Sequence, residues 1–112
     1  MPRLADAHKL RLKFIAGLFL GLRVAWPILS GLLISMIVLG LAIGRLEGWR
    51  AADAIYFAFV TGLTIGYGDL VPQTLAGRAL AIVIGLCGIL LTGLVVALAV
   101  KAFTAMHASE ES

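Results

Sequence analysis

Two long stretches without a charged residue constrain this chain more than any other feature. Residues 24–44 form an uncharged run of 21 residues, and residues 79–100 form a second run of 22 residues. A helix needs about 20 apolar residues, at about 1.5 Å each, to cross a hydrocarbon core of about 30 Å. We therefore predict an outer and an inner transmembrane helix.

The composition agrees with a chain whose main solvent is lipid. Of its 112 residues, 62% are apolar and only 13% are charged. Nine Lys or Arg and six Asp or Glu cannot cover the surface of a water-soluble domain of this size. These numbers exclude a soluble globular protein and predict a single domain in the cell membrane.

A third uncharged interval, residues 54–68, has only 15 residues and ends in a glycine cluster. It is too short to span the membrane as a helix, so we expect a re-entrant segment. Asp53 is the predicted N-cap of a short helix at its start. The predicted fold class is an all-α membrane protein with an outer helix, a re-entrant pore helix and an inner helix.

The distribution of basic residues predicts the orientation of the two spans. Two spans place both termini on one side, and that side carries more Lys and Arg than the connecting segment, which holds only three. By the positive-inside rule the termini are cytoplasmic. The six basic residues on the terminal side are Arg3, Lys9, Arg11, Lys13, Arg23 and Lys101.

The segments outside the spans are short. Residues 1–22 mix apolar and basic positions, which predicts an amphipathic helix in the cytoplasmic headgroup layer, where anionic lipid is a candidate partner. Residues 104–112 are predicted to form a short cytoplasmic tail. Pro27 lies near the predicted start of the first span, where a missing amide donor costs little.

The run from Thr64 to Asp69 alternates glycine with bulky residues. Glycine accepts positive φ, whereas Ile65 and Tyr67 resist it. Alternating left-handed and right-handed residues turn successive carbonyls the same way, which gives a ladder of oxygens. Because one strand surrounds nothing, the arrangement requires four copies around an axis, whose stacked oxygens replace the water around a monovalent cation.

This run, Thr-Ile-Gly-Tyr-Gly-Asp, resembles the selectivity filter of potassium channels. Its position between a short helix and two spans is similar to the pore module of the two-transmembrane-helix, bacterial-type potassium channel family. The resemblance covers residues 23–103. It implies a potassium-selective channel that conducts K⁺ passively as a homotetramer, with three identical subunits as partners and no cofactor other than the permeant ion.

The resemblance also implies roles for individual residues. Dehydrated K⁺ is bound by the backbone carbonyls of Thr64, Ile65, Gly66 and Tyr67. The Thr64 hydroxyl is a further ligand. Gly68 lets the chain turn at the outer mouth, and Asp69 there attracts cations and forms hydrogen bonds behind the filter. The side chain of Tyr67 packs toward pore-helix aromatics such as Tyr56 and Phe57.

Two positions depart from the family pattern. Leu63 stands where many members have Thr, although the carbonyl ladder does not need a hydroxyl there. Val60 stands where some bacterial members have a Glu that pairs with the outer Asp. That pair cannot form in this chain, so the inactivation behaviour of those members does not carry over.

The second span contains residues that recur at spacings of three and four. On the resemblance they line a central cavity and a cytoplasmic gate that closes by dewetting. These residues are Ile89, Thr92, Val96 and Val100, preceded by Gly88, which aligns with the hinge glycine of the family. Simple helix packing is the alternative explanation for this pattern, and for Gly88 hinge and packing roles both stay open.

The sequence also bears on functions other than a potassium channel. The spans hold no carboxylate pair, His cluster or nucleophile, so we do not expect an enzyme. Cys87 alone builds neither a disulfide nor a metal site, and nothing indicates a nucleic-acid partner. Three alternatives stay open: a nonselective cation channel of the same architecture, a nonconducting partner subunit, and a pore excised from a larger channel.

Overall fold

The computed structural model of the chain describes the backbone of residues 4–111 and the side chains of residues 6–105. Within these residues the chain forms three helices, α1 (Leu4–Glu47), α2 (Ala51–Gly62) and α3 (Leu75–Glu111). Helices α1 and α3 are long and apolar enough to cross a membrane, whereas α2 is not. The all-helical fold with two long apolar helices is therefore the one predicted.

Helix α1 is continuous over its 44 residues. Residues 1–22 were predicted to form a separate helix, but α1 continues past residue 22. The sequence around Arg23 has no residue that stops a helix. A change from an amphipathic to an apolar pattern alters which faces are polar without interrupting the backbone hydrogen bonds. The location of residues 1–22 in the headgroup layer stays a prediction.

Pro27 lies inside α1 rather than near its start. It has no amide to donate to the carbonyl of Arg23, four residues earlier, but membrane helices tolerate proline through local adjustment. The expectation that Pro27 marks a helix start is therefore wrong. Helix α1 ends at Glu47, and the following Gly48 has a φ of +73° that closes the last turn, where the Trp49 amide donates to the Gly44 carbonyl at 2.9 Å.

The chain forms two compact units. One unit is Ile28–Gly93, and it contains α2 and the adjoining parts of the long helices. In this unit Gly40 and Gly44 of α1 lie against α2, and a Cβ on either glycine would lie 2.7 Å from a Cβ on α2, that of Ala58 or Ala54. Small residues on both helices thus allow close backbone approach.

A second contact in the same unit joins all three helices. Met36 of α1 and Ile84 of α3 are 1% and 0% exposed, and both side chains lie against Gly62 at the end of α2. Gly88 of α3 lies directly against the main chain of Gly62. The end of α2 is therefore fixed between the two long helices.

The other unit combines the N-terminal part of α1 with the C-terminal part of α3. The position of a Cβ on Gly17 is 3.5 Å from Ala102, and that of a Cβ on Gly21 is 3.1 Å from the Leu98 side chain. Ala102 is 3% exposed and Ala25 is 9% exposed. The two helices therefore run antiparallel and pack through small residues.

Candidate functional site

Helix α2 precedes the segment from Thr64 to Asp69, which resembles a selectivity filter. Arg50 is its N-cap, with extended backbone and no side-chain capping bond. Asp53, predicted as the N-cap, lies instead in the first turn, where its carboxylate is 4.0 Å from the Arg50 guanidinium. The prediction of Asp53 as N-cap is wrong, because α2 begins two residues earlier at Ala51. An acidic side chain near the positive end of the helix dipole remains favourable.

The chain that leaves α2 stays bound to the helix end. The amides of Ile65 and Gly66 both donate to the carbonyl of Val60, at 2.9 and 3.2 Å, and the Thr64 amide donates to the Thr61 carbonyl at 3.2 Å. These bonds hold the main chain of residues 64–66 beside the last turn of α2.

The backbone of residues 64–68 alternates in handedness. Thr64, Gly66 and Gly68 have φ of +62°, +60° and +79°, whereas Ile65 and Tyr67 do not have positive φ. The two glycines take the conformation expected from the sequence. Thr64 was not expected to do so, because a β-branched residue is rarely left-handed. In the sequence, the positive φ of Thr64 is indicated only by its position two residues before Gly66 in the alternating run.

The carbonyls of this stretch have no hydrogen-bond donors among the residues that the structure describes. Among the described residues, no hydrogen bond is accepted by the carbonyl of Thr64, Ile65, Gly66 or Tyr67. All four residues are exposed. These four oxygens are therefore free to accept a partner from outside the described chain.

The aromatic side chains near this stretch divide into two sets. Phe57 is only 6% exposed and packs against Trp49, with ring centroids 5.0 Å apart. Tyr67 is 69% exposed, so it is not buried against Phe57 within one chain. The expected packing of Tyr67 toward Tyr56 and Phe57 stays a prediction, since the Phe57 ring contact that the described chain forms is the one with Trp49.

Tyr56 contacts Asp69 across a cavity behind residues 66–68. The phenol of Tyr56 donates a hydrogen bond to the Asp69 carboxylate, which raises the pKa of this phenol. Asp69 also accepts the Leu70 amide at 3.1 Å. The cavity has a volume of about 190 Å³, and Val60 forms part of its wall. The polar partner of Asp69 in this chain is thus a phenol on α2 rather than a residue at position 60.

Glu47, which the sequence analysis did not single out, connects the end of α1 to the start of α3. Its Oε1 atom accepts the Gln73 amide at 2.6 Å, the Thr74 amide at 2.9 Å and the Thr74 hydroxyl at 3.1 Å. The Thr74 hydroxyl in turn accepts the Gly77 amide at 3.0 Å and so caps α3. No local pattern in the sequence identified the carboxylate partner of Thr74.

The proposed cavity and gate residues differ in their surroundings. In the unit Ile28–Gly93, Gly88 is buried against Gly62, whereas Ile89 and Thr92 are exposed. In the other unit, Val96 and Val100 are 56% and 59% exposed. Gly88 thus has a packing contact that the other four lack, and the four exposed side chains are available for contacts outside a single chain.

Comparison with known proteins gives the family context. A family model described as "Ion channel" matches residues 28–105. The chain is 37% identical over 81 residues, 65% of its length, to "Two pore potassium channel b" of Oryza sativa, of which it covers 23%. It is 43% identical over 44 residues, 39% of its length, to the human "Potassium channel subfamily K member 17", of which it covers 13%.

A third relative matches a shorter region. The human "Potassium voltage-gated channel subfamily KQT member 1" is 53% identical over 38 residues, which is 34% of this chain and 6% of that protein. The chain therefore spans less than a quarter of the length of each of these three relatives. No solved structure matches it.

Proposed function

The chain belongs to the ion channel family, and we propose that it is a potassium-selective subunit that assembles as a homotetramer and conducts K⁺ passively. It carries a potassium channel pore module, since the family model matches 28–105 and the relatives described above are named as potassium channels. The family is one of channels rather than enzymes.

One observation carries the proposal: four successive carbonyls, from Thr64 to Tyr67, accept no hydrogen bond within the described chain, in a stretch whose φ alternates in sign. Alternation turns these oxygens toward one side. A dehydrated monovalent cation is a partner that such oxygens can satisfy, because oxygen rings replace its hydration shell.

A tetramer supplies what a single chain lacks. Four copies of the stretch around an axis give stacked rings of four oxygens, to which the Thr64 hydroxyl adds one further ring. The exposed side chains of Ile65 and Tyr67, at 48% and 69%, then have neighbours to pack against. Homo-oligomers with closed symmetry commonly cover apolar surface in this way.

The outer mouth of the filter is formed by Gly68 and Asp69. Gly68, with φ of +79°, turns the chain away from the axis. Asp69 places a negative charge near the entrance, which raises the local concentration of cations. Its carboxylate accepts the Leu70 amide at 3.1 Å, and its interaction with the Tyr56 phenol raises the pKa of that phenol.

The gate in this proposal lies on α3. Val96 and Val100 form a hydrophobic constriction that excludes water when the four helices approach each other. Ile89 and Thr92 face the cavity between this constriction and the filter. Because Gly88 packs against Gly62, bending at this glycine has to separate α3 from the end of α2.

Membrane orientation is part of the same proposal. Helices α1 and α3 each have a stretch long enough to span, and the excess of basic residues near the termini favours a cytoplasmic location for both ends.

The decisive experiment is a planar-bilayer recording of the purified chain with K⁺ on one side and Na⁺ on the other. Potassium selectivity predicts a reversal potential close to that of K⁺. Equal permeability to the two ions would instead support a nonselective channel, against which Tyr67 argues because nonselective members of the architecture tend to change this position. Absence of current from the purified chain alone would support a nonconducting partner subunit.

A further inference from the structure

One face of α1 in the unit formed by the chain ends is apolar except for a single cation. The side chains of Phe19, Leu22, Arg23 and Trp26 line a shallow groove of about 350 Å³. Phe19 and Trp26 are 70% and 58% exposed, and Arg23 is exposed as well. The face that packs on α3 carries Gly17 and Gly21 instead, so the groove points away from α3.

The depth of Arg23 follows from the antiparallel pairing in this unit. Gly21 lies beside Leu98 and Gly17 beside Ala102, so Arg23 lies at the level of Val96. Lys101, the residue that ends the uncharged stretch of α3, lies at the level of residue 18. Five residues of α-helix correspond to about 7 Å. Arg23 is therefore about one and a half helical turns deeper in the membrane than Lys101, the residue that ends the apolar part of α3.

No carboxylate among the described side chains of this unit neutralises Arg23. Among the side chains described in residues 6–27 and 94–105, the only acid is Asp6, which is 17 residues and about 25 Å away along α1. The described residues provide no ion pair and no hydrogen bond for the Arg23 guanidinium. A guanidinium at the edge of the hydrocarbon core extends toward the headgroups and takes a polar partner there.

We propose that this groove binds the headgroup of an acidic phospholipid in the leaflet on the side of the chain termini. The phosphate accepts hydrogen bonds from the Arg23 guanidinium, which has a fork of donors that matches phosphate oxygens. The Phe19 and Trp26 rings, one turn to either side of Arg23, flank the upper acyl chains, as interfacial aromatic residues do. The net negative charge of the lipid compensates the Arg23 cation, for which the described side chains provide no acidic partner.

This inference requires the chain to be in a membrane but does not require K⁺ conduction, so the two proposals are tested separately. The chain has two tryptophans, and Trp49→Phe leaves Trp26 as the only one while keeping an aromatic ring beside Phe57. We suggest reconstituting this variant into vesicles of phosphatidylcholine that contain either brominated phosphatidylglycerol or brominated phosphatidylcholine. Quenching of Trp26 fluorescence then reports which lipid occupies the groove.

We expect brominated phosphatidylglycerol to reach half-maximal quenching at about one fifth of the mole fraction that brominated phosphatidylcholine needs, because one basic residue near the surface contributes about a fivefold preference. Arg23→Gln should reduce this ratio to about one, and Arg23→Lys should retain part of it. Arg45→Gln, at the other end of the uncharged stretch of α1, is the matched control and should leave the preference unchanged.

Retained quenching by brominated phosphatidylcholine in Arg23→Gln shows that the variant is still inserted. Equal quenching by the two lipids in the Trp49→Phe protein would overturn the proposal, as would an unchanged preference in Arg23→Gln. Absence of quenching by either lipid would also overturn it, since Trp26 would then be covered by a second copy of the chain. Each outcome is independent of whether the protein passes K⁺.

Discussion

Gly88 of α3 lies so close to Gly62 at the end of α2 that a Cβ on Gly88 would overlap the Gly62 carbonyl. Gly62 is the last residue of α2, two positions before the left-handed Thr64. In the proposed channel, movement of α3 at Gly88 would therefore change the surroundings of the residues that precede the filter.

The first prediction concerns Gly88→Ala. The added methyl group has to displace the main chain of α2, and overpacking of this kind costs about 1–3 kcal/mol. We expect a lower thermal unfolding midpoint in detergent and reduced K⁺ flux. Gly85→Ala is the matched control on the same helix, since nothing lies within 4 Å of a Cβ there. Equal effects of the two substitutions would contradict a specific role for the contact with Gly62.

The second prediction concerns Gly66→Ala. Nothing lies within 4 Å of a Cβ at Gly66, so the substitution acts through the backbone φ of +60° alone. A residue with a Cβ pays about 1–2 kcal/mol in this conformation, and a tetramer has four such sites in one filter. We expect loss of K⁺-selective current, measured in bilayers. Normal selective current would refute the carbonyl-ladder argument, and Gly31→Ala, also without close neighbours, is the control.

The third prediction concerns the hydrogen bond from Tyr56 to Asp69. Tyr56→Phe and Asp69→Asn each remove one partner of this bond, so the double variant should lose little stability beyond either single variant. The measurement is a double-mutant cycle of thermal unfolding midpoints in K⁺ solution. Additive effects would show that the two side chains act independently and that the hydrogen bond does not hold the outer mouth.

The fourth prediction concerns Glu47, whose carboxylate accepts three hydrogen bonds from Gln73 and Thr74. Glu47→Gln keeps an acceptor oxygen but loses the charge that strengthens these bonds. We expect faster hydrogen exchange at the amides of Gln73 and Thr74, followed by mass spectrometry. Asp53→Asn is the control, because Asp53 is 4.0 Å from Arg50 and far from α3 in sequence. Unchanged exchange in Glu47→Gln would argue against this connection.

The fifth prediction concerns the gate. Val100→Ser introduces a hydroxyl into the proposed hydrophobic constriction, which should retain water and raise the resting open probability in bilayer recordings. Val95→Ser is the matched control, since Val95 is also partly exposed, at 44%, but is five residues away and turned by more than a third of a circle. If both variants gave the same open probability, Val100 would not be part of the gate.

Much of the architecture could be predicted because the physical signals are local. The two uncharged stretches predicted both long helices, and the 15-residue interval predicted the short helix between them. The glycines at positions 66 and 68 have positive φ, as their residue type favours. The contact of Gly40 with Ala54 and Ala58 also follows from the presence of small residues one turn apart.

Other features depend on contacts between distant residues and were not predictable in the same way. The pairing of Glu47 with Gln73 and Thr74 joins positions 26 and 27 residues apart, and no periodicity identifies it. The ring contact of Phe57 with Trp49 joins two positions for which no local pattern indicated a pairing. The continuity of α1 through Pro27 reflects the tolerance of long apolar helices for a missing amide donor.

Thr64 is the only residue other than glycine with a positive φ among the residues that the structure describes. A β-branched side chain in this region raises the energy of the backbone by about 1–3 kcal/mol, and nothing inside a lone subunit offsets that cost at its carbonyl. In the proposed tetramer, K⁺ bound by the Thr64 carbonyl compensates for this backbone energy. Depletion of K⁺ should therefore let Thr64 relax toward an ordinary backbone conformation, so that the conductive shape lasts only as long as ions occupy it.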